Sequence, residues 1–167
     1  MRTNPNLGLN LRMTEPVAAI AAAQIKKGPS IVQRRVALAE EITAMFDGID
    51  FVAPPRVRED CDHVYYLWAG KTLGDQAGEK RAAFLAGLSA RGVPFRTGYS
   101  PPLHRIFDPP DREADFPVAR HLEDRSLFCF EICAFDPKAH HLTRMKKIIH
   151  EEAQKVEKRF SRDALHL

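Results

Sequence analysis

Gly8-Leu9-Asn10-Leu11-Arg12-Met13-Thr14-Glu15, followed at once by Pro16-Val17-Ala18-Ala19-Ile20-Ala21-Ala22-Ala23-Gln24-Ile25, reads as a polar loop that runs into an alanine-rich helix. Thr14 is a residue type that caps helix starts, and the fixed φ of Pro16 suits a first turn. Val17, Ile20, Ala21 and Ile25 recur at helical spacing, which predicts that they share the buried side. The loop presents Asn10 and Arg12 just before that helix. An asparagine amide can donate to a phosphate oxygen without adding charge, and an arginine guanidinium clamps a phosphate or carboxylate with a planar fork. The plainer alternative has Asn10 making a turn and Arg12 pairing with Glu15.

Outward from this segment, Gly28-Pro29 interrupts the helical pattern, and Ser30 can cap a second helix carrying Ile31, Val32, Val36, Ile42, Met45 and Phe46. Either a kink at Pro29 or two abutting helices is expected. Gly48 ends the second stretch. Phe51-Val52-Ala53, stopped by Pro54-Pro55, predicts a short strand, and His63-Val64-Tyr65-Tyr66-Leu67-Trp68-Ala69 predicts a central strand with both faces covered. A helix is expected from about Asp75 through Ala83, Phe84, Leu85 and Leu88, with Gly92 as its stop, and then a strand at Phe95-Arg96-Thr97-Gly98-Tyr99. The stretch from Ser100 to Phe116, with Pro101-Pro102 and Pro109-Pro110, is too long for a simple connector and suggests a lid, an interface or a binding element. Asp115-Phe116-Pro117 caps a short helix with Val118 and Leu122. Leu127 to Cys133 predicts a further buried strand, and Asp136-Pro137 opens a last helix with the stripe Leu142, Met145, Ile149, Val156 and Phe160. The fold class that follows is α+β, a small, mostly antiparallel sheet covered by helices. The expected organisation is a loop over 1–13, one domain over 14–160 and a frayed tail over 161–167.

A chain of 167 residues has room for one domain with a real core. Its net charge of +3 comes from basic residues spread among acidic ones, which argues against nucleic acid or an anionic membrane as a partner. No apolar run reaches bilayer length and Met1-Arg2-Thr3-Asn4-Pro5 has no signal-peptide core, so a cytoplasmic protein is expected. Cys61, Cys129 and Cys133 are an odd set with neither disulfide nor zinc spacing, and they read as buried, reduced thiols. His140, His141 and His150 invite a metal reading. Adjacent helical side chains point about 100° apart, however, and His150 returns nearly opposite His141, so no metal site is expected.

Gly8 to Glu15 resembles the Gly-x-Asn-x-Arg-Met-(Thr/Ser)-Glu signature of the DegT-type, pyridoxal-phosphate-dependent sugar aminotransferases, and the similarity continues with gaps to about Val156. Gly92-Val93-Pro94-Phe95-Arg96 and Tyr99-Ser100-Pro101-Pro102-Leu103-His104 resemble that family's Gly-Ile/Val-x-x-Arg strand and the Tyr-x-Pro-Leu-His element after it. His63 before Val64-Tyr65-Tyr66 is similar to its His-Ser/Val-Tyr strand opening. The resemblance implies the small, C-terminal domain of a fold-type-I aminotransferase. It implies that Asn10 reaches across a dimer interface to the partner's cofactor phosphate, that Arg12 lies on the substrate side, and that Tyr99 and His104 meet a nucleotide-sugar substrate. His104, held after paired prolines, is expected to be exposed; a surface histidine without a role is the alternative. The chain departs from the family pattern at Leu11, where Tyr is usual, at Val17, where Gln is usual, and near Ala21 or Ala22, where a Gly is usual.

Transamination needs a lysine that holds the cofactor and shuttles the proton, and a carboxylate against the pyridinium nitrogen. In the resembled family both lie upstream of the segment with which this sequence begins, and Lys26, Lys27 and Lys71 lack the family's small-residue turn around the lysine. The expectation is therefore the C-terminal portion of an aminotransferase with no catalytic residue of its own. It would use pyridoxal phosphate only together with a lysine-bearing domain, in a homodimer or with a complementary chain. The second reading is a non-catalytic binding or interaction module that keeps the fold.

Overall fold

The computed structural model describes residues 12–107, 116–135 and 137–163. Residues 1–34 and 35–167 form two compact units. In the first, helix α1 (Glu15–Ile25) starts directly after Thr14, whose carbonyl accepts the Ala18 N–H at 2.9 Å, with Pro16 in the first turn. The Thr14 side chain makes no cap bond. The expected buried face is not formed: Val17, Ile20 and Ile25 are 52%, 64% and 73% exposed. Helical spacing fixes which side chains share a face, but not what covers it.

The interruption at Gly28-Pro29 produces two helices. Lys27 closes a turn by donating to the Gln24 carbonyl at 2.9 Å, and α2 (Gly28–Ala44) begins next to it. Pro29 thus falls in a first turn, where its missing N–H costs no helical bond. The Ser30 hydroxyl donates to the Lys27 carbonyl at 2.9 Å, so it binds the preceding turn instead of capping the helix start. Residues 35–44 of α2 lie in the second unit, where Ala39 and Ile42 enter the core.

The second unit is built on four strands, β1 (Val52–Ala53), β2 (Trp68–Thr72), β3 (Phe95–Thr97) and β4 (Leu127–Phe130), in the order β1-β2-β4-β3 with every pair antiparallel. Its further helices are α3 (Ala77–Ala90), α4 (Leu103–Phe107), α5 (Pro117–His121) and α6 (Ala139–Asp163). This is the α+β class expected from the sequence. Trp68 stands opposite Phe130, which stands opposite Phe95, and this register puts all three on one face of the sheet. Phe46 stacks on Trp68 with ring centroids 5.0 Å apart, and the indole N–H donates to Thr43 Oγ1 at 3.0 Å. Phe84, Leu85 and Leu88 of α3 and Met145, Ile149, Val156 and Phe160 of α6 close the same core. Past α3, Gly92 has φ 76° and Val93 N–H reaches back to the Leu88 carbonyl at 3.0 Å, the stop its sequence predicts.

All four strands are shorter than expected, and in two of them the cause is a local one. Residues 63–67 do not pleat, because Tyr65 takes a left-handed φ of 45° and its N–H bonds to His63 Nδ1 at 2.9 Å. A local side-chain acceptor here outcompetes the ladder that the β-rich composition favours. After Phe130 the chain folds into a tight turn at Ile132–Ala134, which leaves Cys133 exposed. Of the three thiols expected to be buried, Cys61 is exposed as well, and Cys129 is the one inside, its pKa pushed up to about 11 by burial. It is therefore protonated and unreactive at neutral pH. Among the described residues no helix is long and apolar enough to cross a membrane, and no three metal-ligating side chains gather.

Candidate functional site

The chain leaves β3 at Gly98, in the left-handed region at φ 59°, with the Glu123 carboxylate so close that a Cβ there would lie 2.7 Å from Oε1. Glycine takes this φ without strain and leaves room for the Glu123 side chain where it lies. Tyr99-Ser100-Pro101-Pro102 then leads into α4, and three arginines fix this loop. Arg96 donates through Nη1 to the carbonyls of Gly98 at 3.1 Å and Tyr99 at 3.4 Å, and through Nη2 to Glu131 at 2.5 Å. Arg105 forms a two-pronged pair with Asp124 at 2.8 and 2.9 Å, which holds the Asp124 carboxyl below its ordinary range. Asp124 sits in a π-helical turn, Leu122–Ser126, between α5 and β4. That turn is gathered by Arg81 of α3, whose buried guanidinium donates to the carbonyls of Glu123 at 2.8 Å, Asp124 at 2.5 Å and Leu127 at 2.9 Å.

Tyr99 and His104 ride on this anchored loop. Tyr99 is 52% exposed and meets the Tyr66 ring edge-on, at a centroid distance of 6.2 Å and an angle of 89°. His104 is not the exposed residue its proline context suggests: it is buried, with its ring stacked on Phe116 at 4.7 Å. The cause is α4, which opens at Leu103, turns the imidazole inward, and leaves Leu103 and Ile106 outside in its place. His104 Nε2 has no hydrogen-bond partner among the described residues. Arg12 belongs to the first unit and is exposed, with no ion pair to Glu15 or any other described residue. Asn10 lies outside the described residues.

Sequence reading missed Arg81, Arg105 and Tyr66. Arg81 carries a usable signal, since it falls on the helical stripe Ala77, Arg81, Phe84, Leu85, Leu88 that α3 buries. A cation on an apolar stripe requires several acceptors, and here they are carbonyls. Arg105 and Tyr66 carry none, because their neighbours come from distant parts of the chain.

Pyridoxal phosphate needs a lysine, a carboxylate for its ring nitrogen and donors for its phosphate. Lys26, Lys27 and Lys71 are solvent-exposed, and the Arg12 guanidinium, without an ion pair among the described residues, is one group suited to an anion. The described residues do not make a cofactor site by themselves, and no chemical step follows from them.

The model of the DegT/DnrJ/EryC1/StrS aminotransferase family matches residues 1–130. Among solved structures, the chain is similar to DesV of S. venezuelae, with 25% identity and a TM-score of 0.68 over 91% of this chain and 40% of that one. It is also similar to Spr1654 of Streptococcus pneumoniae, described as a sugar aminotransferase, with 17% identity and a TM-score of 0.68 over 87% of this chain and 36% of that one. The chain thus spans 36% to 40% of the length of these structures. No curated protein sequence matches it. Since the matched segment runs from the Asn-x-Arg loop through the anchored Tyr99 loop to the end of β4, the chain belongs to the DegT/DnrJ/EryC1/StrS aminotransferase family.

Proposed function

We propose that the chain is the carboxyl-terminal portion of a pyridoxal-phosphate-dependent enzyme that moves an amino group from glutamate or a similar donor to a keto-sugar nucleotide. It works in the cytoplasm as a homodimer or with a complementary cofactor-domain chain, and it is inactive without the lysine-bearing part. The observation that carries this reading is the family match over residues 1–130, which includes both the Asn10-x-Arg12 loop and the Tyr99 loop. When bound, pyridoxal phosphate supplies the electron sink for moving the amino group. The residues of this chain bind and orient. Asn10 donates its amide to the phosphate of the partner's cofactor, and Arg12 offers its planar fork to a carboxylate or phosphate of the substrate. Tyr99 meets the sugar nucleotide from a loop already fixed by Arg96, Arg105 and two prolines, so little conformational entropy is lost on binding. His104 contributes Nε2, a buried nitrogen without a hydrogen-bond partner among the described residues.

The rival reading, a non-catalytic interaction module, is favoured by Val17, which is apolar and exposed where the family carries Gln. Two substitutions in the enzyme completed by a lysine-bearing domain separate the readings. Asn10→Ala is expected to weaken cofactor retention by about 1 kcal/mol, the loss of one neutral hydrogen bond. Arg12→Ala is expected to cost about 1.5 to 3 kcal/mol, mainly in substrate KM, because its contact is ionic. Cofactor affinity and turnover unchanged in both variants would reduce the loop to a helix cap and leave the module reading.

A further inference from the structure

Helix α6 starts with its charges reversed. Negative side chains stabilise a helix N-terminus and positive ones oppose its dipole. Yet α6 has no acidic residue in its first turn, and the stretch from Lys138 to His150 carries Lys138, Arg144, Lys146 and Lys147 with no acid among them. His141, Arg144, Met145 and Ile148 stand at i, i+3, i+4 and i+7, so they share one face of the helix. Together with the turn that ends α3 and leads into β3, this face encloses a groove of about 350 Å³. Its floor is apolar, with Val93, Met145 and Ile148 buried and Phe135 half-buried, and its rim is basic, formed by Arg91, His141 and Arg144. The groove lies before the start of β3, at the opposite end of that strand from Gly98 and Tyr99.

The three rim groups differ in what they have left to offer. Arg91 donates to Glu151 at 2.5 Å and to Glu152 at 3.3 Å, and these bonds hold it in place. His141 Nδ1 accepts the Lys138 N–H at 3.3 Å, which puts the imidazole proton on Nε2 and makes that nitrogen a donor. Arg144 is exposed and has no ion pair or hydrogen bond among the described residues. Cationic donors above an apolar floor complement an anion that has an apolar body. An inorganic phosphate would leave the floor uncovered, and a neutral hydrocarbon would make no use of the cations. The volume is at the low end for ligand cavities, which restricts the occupant to a small molecule. We infer that this groove binds a small organic carboxylate, with its carboxylate on Arg144 and His141 and its apolar body over Phe135 and Met145. The site shares no residue with the Asn10 or Tyr99 loops, so it stands or falls independently of the aminotransferase reading.

The chain has four methionines, Met1, Met13, Met45 and Met145. Labelling their methyl carbons gives NMR signals in which Met145 reports on the groove, buried Met45 on the core and exposed Met13 on non-specific binding near α1. Titration of the full chain with phenylbutyrate should shift the Met145 signal saturably and leave Met13 and Met45 in place. Phenylbutyramide, which has the same apolar body without the charge, should bind about tenfold more weakly or worse. Arg144→Ala should weaken phenylbutyrate binding about tenfold, the loss of one ionic contact, and Arg144→Lys, which keeps the charge, should recover part of it. Both variants are at an exposed position, and an unchanged Met45 signal verifies the fold. No saturable Met145 shift, equal affinity for the amide, or an unaltered affinity in Arg144→Ala would overturn the site. A Met13 shift that tracks that of Met145 would overturn it as well, since it would mean general partitioning onto apolar surface.

Discussion

Arg81→Met should lower the unfolding free energy of this chain by about 3 kcal/mol, close to the net worth of three hydrogen bonds of about 1 kcal/mol each. Methionine keeps most of the buried stem and removes only the guanidinium, so the loss falls on the carbonyls of Glu123, Asp124 and Leu127 that Arg81 now serves. Two of these belong to the π-helical turn whose Asp124 pairs with Arg105. The same substitution should therefore loosen the Tyr99 loop. Urea unfolding is expected to show a lower midpoint with an unchanged slope, and Arg81→Lys should recover only part of the loss because an ammonium cannot serve three carbonyls in a fork geometry. A change below about 0.5 kcal/mol would mean that water satisfies those carbonyls as well as Arg81 does.

Trp68→Ala should be at least as damaging, at about 3 to 5 kcal/mol, the usual cost of emptying a large aromatic site in a core. The ring is fully buried, stacks on Phe46 at 5.0 Å, and meets Phe95 and Phe128 at 5.6 and 5.8 Å. Few neighbouring groups can collapse into the space, since β2, β4 and β3 are locked in register around it. Trp68→Phe retains the stack and loses the N–H bond to Thr43, so about 1 to 1.5 kcal/mol is expected. Thermal and urea unfolding of the pair would measure both values. Near-equal destabilisation by Ala and Phe would locate the importance of Trp68 in its hydrogen bond instead of its volume.

The fold class was legible because each major element repeats one periodicity with its stops in place: Pro54-Pro55 after β1, Gly92 after α3, and the stripe from Met145 to Phe160 in α6. The errors arose where a single local contact outweighed composition. His63 diverts Tyr65 from the strand its β-formers predict, and the α4 turn buries a histidine that two prolines seemed to hold out in solvent. The buried face expected of α1 failed for a different reason, since spacing is a property of the helix and burial belongs to its surroundings. At the candidate site, Tyr99 was readable as part of a motif. Tyr66 was not, because its meeting with Tyr99 joins residues 33 positions apart across the sheet. Of the three arginines that set the loop, Arg81 shows itself by its place on a buried helical stripe, whereas the pairing of Arg105 with Asp124 joins residues that only folding brings together.

The account stands on the chain supplying binding groups while a separate part supplies the lysine that holds the cofactor. The direct measurement is borohydride reduction in the presence of pyridoxal phosphate, with the modified peptides located by mass, on the chain alone and on the chain mixed with a lysine-bearing aminotransferase domain. The account predicts no stoichiometric pyridoxyl-lysine on this chain in either sample and a single one on the added domain. A stoichiometric adduct at one lysine of this chain, Lys71 for example, would contradict it.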